Sequence, residues 1–151
     1  MAITTAMCTS FKKELLEAVH NFKNSGGDTF KISLYAIGSG GKSSTTATLG
    51  AATTAFTTTG EVASSGSYTT GGGSLTRVDP ASSGTTGYTD FADISFTTAT
   101  ITARGALIYN SSDSNKAVCA LDFGGNKTST AGTFTVAFPA AAASTAIIRI
   151  A

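Results

Sequence analysis

The amino-acid sequence predicts an all-β protein: a single-domain antiparallel β-sandwich of jelly-roll type with one short N-terminal α-helix. Three observations predict it. The composition is 41% hydrophobic but only 13% charged, and Ser, Thr and 17 glycines fill the gap. Thr suits a pleated surface and Gly supplies turns, so this balance favours strands over helices. Second, Thr100 to Phe123 holds two apolar, β-branched or aromatic runs around a polar tip, Asn110-Ser111-Ser112-Asp113-Ser114-Asn115. That pattern predicts a β-hairpin. Third, about eight strand-like runs are separated by glycine-bearing connections, the spacing of a sandwich rather than of a parallel α/β sheet.

The hairpin belongs at the centre of a sheet. Ala106-Leu107-Ile108 and Val118-Cys119-Ala120-Leu121 are apolar on both faces. Half-exposed strands alternate, whereas strands covered on both sides do not. Gly105 marks a bulge or a close backbone approach.

The helix is predicted over Phe11 to Phe22. Phe11, Leu15, Val19 and Phe22 form one apolar stripe, with Lys12, Lys13, Glu17 and Asn21 elsewhere. Thr9 or Ser10 serves as N-cap, and Asn24-Ser25-Gly26-Gly27 stops the helix. A helix this short is marginal alone, so the stripe must dock. Burying four such side chains contributes roughly 6–12 kcal/mol at most. Two docks fit: the chain's own β-body, or a neighbouring subunit.

Further along, Phe30 to Tyr35 alternates strictly, with Phe30, Ile32 and Leu34 inward and Lys31, Ser33 and Tyr35 outward. Weak strand character surrounds Ala55-Phe56-Thr57. A short strand carries Leu75. Pro80 to Gly87 reads as a mobile surface loop. Tyr88 to Phe96 alternates again. Gly124 to Gly132 reads as a connection, and Thr133 to Phe138 and Thr145 to Ile150 as the last strands. The chain divides into residues 1–28, an arm with the amphipathic helix, and residues 29–151, the β-sandwich; together they form one folding unit.

Bulk properties exclude several function classes. A net charge of +1, from ten scattered basic residues, gives no nucleic-acid footprint. Residues 1–6 lack the basic start and apolar core of a signal peptide. The apolar stretch from Val136 is interrupted by Pro139 and Arg149 and is too short to span a bilayer. The expectation is a soluble protein made in the cytoplasm. Cys119 lies in the most apolar strand and reads as a core residue. Cys8 precedes the helix, and a Cys8–Cys119 disulfide stays open.

No cluster announces a chemistry. Ala36 to Ser43, AIGSGGKS, follows a strand and fits a loose phosphate-loop pattern, with Ala replacing the first glycine. That motif needs a following helix to support the phosphate. Ser44 to Gly50 has no apolar stripe, so the segment reads as a strand-to-strand loop. His20, the only histidine, reads as a helix-surface or interface group, and without a cysteine cluster zinc is not expected. Asp90 and Asp93 fall on opposite strand faces, which argues against paired-carboxylate hydrolysis. Asp79 and Asp113 read as turn formers. Asp122 is placed to pair with Arg104 across the hairpin. Tyr68, Tyr88 and Tyr109, where exposed, can form a sugar-binding platform, although tyrosine also fills sheet edges and interfaces.

Several segments taken in order carry a resemblance. Met7 to Lys12, Glu14-Leu15-Leu16 and His20 open it, followed by Phe30 to Tyr35. Leu49 to Phe56, Gly60-Glu61-Val62 and Tyr68 to Gly72 continue it. Ala99 to Asn110, Leu121 to Gly125, Phe134 to Phe138 and Thr145 to Ile150 close it. In this order the set resembles a family of small virion structural proteins encoded by tailed bacteriophages, across nearly the whole chain. The resemblance implies a non-enzymatic role, with no catalytic residues, cofactor or metal. It implies a capsid decoration, or cement, protein on the capsid surface of the virion. Its expected partners are the major capsid protein and copies of itself, as dimer or trimer, with no nucleic acid or membrane. The helix face (Phe11, Leu15, Val19, Phe22) and residues 2–7 are the candidate docking surfaces. The alternative is a neck, tail or fibre component that binds a host surface glycan.

Overall fold

A computed structural model describes residues 2–38 and 47–151. The protein is all-β: half of it is strand and 6% is helix. The elements are β1 (Ala6–Met7), α1 (Thr9–Leu16), β2 (Phe30–Tyr35), β3 (Gly73–Ser74), β4 (Arg77–Ser83), β5 (Thr86–Phe91), β6 (Ile94–Asn110), β7 (Lys116–Val136) and β8 (Ile148–Ile150). They form a five-stranded sheet in the order β1-β7-β6-β2-β3 and a three-stranded sheet in the order β4-β5-β8. Every strand pairing is antiparallel. Among the described residues no helix is long and apolar enough to cross a membrane.

The β6–β7 hairpin lies inside the larger sheet, as its two-sided apolar pattern predicts. β2 pairs along β6 from Phe30↔Asn110 to Tyr35↔Gly105, and β1 pairs β7 at Ala6↔Ala120 and Met7↔Cys119. Both faces are covered there, and residues 105–110 and 117–120 are all buried. One face packs against Phe22, Phe91 and the helix through Phe30, whose ring stacks on Phe22 at 4.3 Å. The other is covered by residues 47–62, a segment tied down by single backbone bridges rather than by a strand. Ala117 N–H donates to Thr54 O, Phe56 N–H donates to Asn115 O, and Phe56 stacks on Tyr109 at 4.8 Å. That cover corrects the expectation for β2: Ser33 and Tyr35, predicted outward, are both fully buried.

Gly105 sits at a shift in register between Ala103↔Lys127 and Gly105↔Asp122. Three extra residues of β7 bulge outward there. A Cβ on Gly105 would overlap Leu121 O and lie 2.7 Å from Ile3 Cγ2. The position therefore admits no side chain, and the N-terminal arm packs into the space this leaves.

Three predicted boundaries move. Gly124 to Gly132 is not a loop: β7 continues through it to Val136, paired along β6 as far as Ile94↔Val136. Pro80 to Gly87 is not a loop either. β4 and β5 form a hairpin closed by Gly84-Thr85, with Gly84 at φ +59° in the first turn position, where this turn type takes glycine. Pro80 lies at the register shift between Val78 and Ala81, where its missing N–H costs no ladder bond. The run from Tyr88 to Phe96 breaks at Ala92-Asp93, so its two halves belong to different sheets.

The helix ends six residues early. Ala18 takes φ +57°, Val19 N–H donates to Glu14 O, and Ala18 N–H donates to Leu15 O. These two bonds make a Schellman motif with alanine at the left-handed position. Cys8, not Thr9 or Ser10, is the N-cap residue, and no side chain caps the first turn. Ala18→Gly removes the left-handed strain and raises stability by about 1 kcal/mol, read from chemical denaturation midpoints.

Candidate functional site

The predicted helical stripe divides in the structure. Phe11 and Phe22 are buried in the chain's own core, at 0% and 6% exposure, so Phe11 is closed off from any partner and Phe22 keeps only the edge that lines a groove. Leu15 and Val19 are half-buried. Early termination of the helix is the cause: past Ala18 the chain turns inward, so Phe22 reaches Phe30 rather than continuing the stripe. Leu16, off the stripe in the sequence reading, is 91% exposed.

What remains of the stripe forms one wall of an apolar groove. Leu15 and Phe22 face the three-stranded sheet across a space of about 230 Å³, with Pro80, Ile148 and Ile150 on the opposite side. Ile148 and Ile150 share one face of β8, opposite Thr89 and Gly87 of β5. Ile150 is 57% exposed; it and Leu16 are the two large hydrophobic side chains exposed among the described residues. An almost wholly apolar lining suits an apolar side chain of another protein and offers little to a charged or sugar ligand. Val19 is not among the lining residues.

A buried polar chain fixes this wall. His20 lies beyond the helix, its side chain fully enclosed, which corrects its expected surface position. Its Nε2 is 2.8 Å from Glu14 Oε2, and its Nδ1 is 3.0 Å from Asn110 Nδ2. Ser112 N–H donates to Asn110 Oδ1 at 3.0 Å, which orients the amide; Asn110 Nδ2 then also donates to Asp28 Oδ2 at 2.9 Å. With Asn110 donating to Nδ1, the ring is the Nε2–H tautomer and donates to Glu14. Phe11, Phe22 and Phe30 ring it at 4.9, 6.4 and 6.3 Å. The chain ties α1 to the hairpin tip and holds Leu15 and Phe22 where they line the groove.

The other candidates are spoken for structurally. Tyr68 and Tyr109 are buried, at 0% and 3% exposure, so the three-tyrosine platform does not exist; only Tyr88 keeps surface. Tyr68 accepts from Leu34 N–H and donates to Glu61, and Tyr109 donates to Gly71 O. Burial raises the Tyr68 hydroxyl well above its usual range and pushes Tyr109 up to about 12. Glu61, fully buried, also accepts from Gly71 N–H. Asp90 is buried at the end of β5 and Asp93 is exposed in the break between β5 and β6, so they do not share the one strand that the sequence pattern predicts. Asp90 accepts from Phe91 and Ile147 N–H, and Asp93 accepts from Phe138 N–H, so both fasten the returning chain. Burial raises the Asp90 carboxyl.

Arg104 pairs with Asp122 across the hairpin, Nε to Oδ1 at 2.8 Å. The Arg104 hydrogen bond, then Gly124 N–H, holds the Asp122 carboxyl below its ordinary value. Cys8 and Cys119 are free, buried thiols, which burial pushes up to about 11 and about 12. Among the described residues no group of three His, Cys, Asp or Glu side chains is placed to hold a metal ion. Of the phosphate-loop-like segment, residues 39–43 lie outside the described residues.

Topology assembles the groove: Ile148 and Ile150 meet the helix only because β8 returns beside β5. In sequence the apolar alternation of Ile148 and Ile150 was the one available signal, and it does not name a partner surface. No family model, no curated protein and no solved structure matches the chain.

Two outcomes test these assignments. Asn110→Leu strips partners from His20, Asp28 and Ser112 together and lowers stability by about 2–4 kcal/mol in denaturant titration. Asp122→Asn destabilises the protein at neutral pH. Because the folded-state carboxyl is lowered, that contribution is complete above the ordinary value of 3.8 and is lost as pH falls below it. Melting curves of wild type and variant therefore converge in strong acid.

Proposed function

We propose that this protein is a bacteriophage virion structural protein, a capsid decoration or cement protein that stabilises the head shell by protein–protein contacts. The observation that carries the reading is the apolar groove between α1 and the β4-β5-β8 sheet, with Leu16 and Ile150 standing exposed on the helix and the outer strand that bound it. The resemblance of the sequence to small phage particle proteins supports it. The chain itself is compact, with a surface of 7075 Å². A compact monomer of this mass exposes about 7,100 Å².

The body is read as a jelly-roll-like sandwich. Two antiparallel sheets share one hydrophobic cluster, and neighbours far apart in sequence, β1 beside β7 and β8 beside β5, support that reading. Its mechanism is additive. Each copy covers a modest area on the major capsid protein, with copies of itself alongside, and the total grows with copy number. The protein performs no reaction in this reading. Its histidine and buried carboxylates are engaged in hydrogen bonds that hold strands and helix together. Its place is the capsid surface.

Copy counting by quantitative mass spectrometry on purified particles tests the reading. On the order of hundreds of copies per particle fits a shell lattice, whereas about a dozen or fewer fits a neck or tail site. In the same particles Ile150→Glu, a change at an exposed edge that leaves the fold intact, lowers retention on the shell by about tenfold or more.

A further inference from the structure

We propose that β8 accepts an added strand from another protein, an extended segment in which apolar and acidic side chains alternate. The inference rests on the reading of the groove as a contact face, and it names the partner's chemistry.

β8 is an outer strand of its sheet. Ile148–Ile150 pairs with β5 on one side, and among the described residues no strand pairs with the other. Such an edge presents backbone N–H and C=O groups that an extended chain satisfies and a helix does not. The side chains of β8 then set the register. Ile148 and Ile150 point to the groove face, so an added strand places apolar side chains beside them, at the groove mouth. Arg149 points to the opposite face, paired with Tyr88, and is exposed. Its guanidinium donates to Ser144 O at 2.9 Å, which anchors the side chain and leaves further donors of the fork for a carboxylate.

Arg149 also decides between two occupants. A second copy of β8, paired antiparallel across a two-fold axis in full register, sets Arg149 against Arg149. Like charges directly opposite on neighbouring strands destabilise the pair. A foreign strand with Glu or Asp at that position gains from the same charge. The edge therefore discourages self-pairing and selects an acidic partner strand.

The test uses the full isotope-labelled chain and two blocked peptides, one alternating glutamate and isoleucine, the other lysine and isoleucine. The glutamate peptide shifts the backbone amides of Ile148, Arg149 and Ile150 and binds about three- to tenfold more tightly than the lysine peptide. Arg149→Glu reverses that preference. Ile150→Pro, which removes one edge N–H without adding charge, weakens both peptides. Equal affinity for the two peptides, or shifts confined to other elements, overturns the proposal. So does β8 amide protection that grows with the chain's own concentration, which assigns the edge to a second copy. Copy counting on particles is independent of this titration: peptide failure with hundreds of copies per shell discards the added strand and leaves the decoration reading standing.

Discussion

The structure depends on the long pairing of β6 with β7. This ribbon forms the middle of the larger sheet, with a strand paired along each of its edges. β2 lies along one edge and the N-terminal arm along the other. The coil of residues 47–62 covers one face, and the aromatic cluster of Phe11, Phe22, Phe30 and Phe91 covers the other. Backbone groups in such a layer have no water to turn to, so each needs a partner wherever both faces are closed; Val118 O, skipped where the register shifts between Ile108 and Tyr109, accepts from Cys8 N–H. Where the register shifts, at Gly105 and again near Ala99, the protein compensates locally. Gly105 yields space to Ile3, and Ser129 and Thr100 hydroxyls bond the neighbouring backbone.

The groove inherits its shape from that ribbon through a short chain of polar contacts. Asn110 ends β6, and its amide reaches both His20 and Asp28. His20 in turn holds Glu14, in the last turn of α1. Buried hydrogen-bond networks are strong in a low dielectric when every member is satisfied, and costly when one is removed. This one fixes how far the helix runs and which way Phe22 turns. The groove wall is thus positioned from the buried end of β6.

Much of this was readable beforehand where a single residue's neighbours lie within the same hairpin. The two-sided apolar runs placed β6 and β7 inside the sheet. Gly105 announced a close approach, and Arg104 and Asp122 announced their ion pair, because pairing distance follows from counting back from the tip. The failures share one cause: the deciding partner is remote in sequence. Tyr35, Tyr68 and Tyr109 look like surface residues until residues 47–72 fold over them. Apolar spacing continues the helix to Phe22, but His20 finds Asn110, ninety positions away, and the chain turns at Ala18. Asp79-Pro80 and the glycines at 84 and 87 carry loop chemistry, yet a bulge and a two-residue turn let them sit in a hairpin. The groove was the least accessible feature, since it needs helix, β5 and β8 together and only half of the predicted stripe belongs to it.

The central claim is that the face between α1 and β8 is where this protein meets another. Cryo-electron microscopy of intact particles that carry the protein tests it most directly. The account predicts shell protein density over Leu15, Leu16 and Ile150, with an extended chain running beside β8. A map in which that face looks onto open solvent, and the contacts are made by the far end of the β6–β7 ribbon, contradicts it.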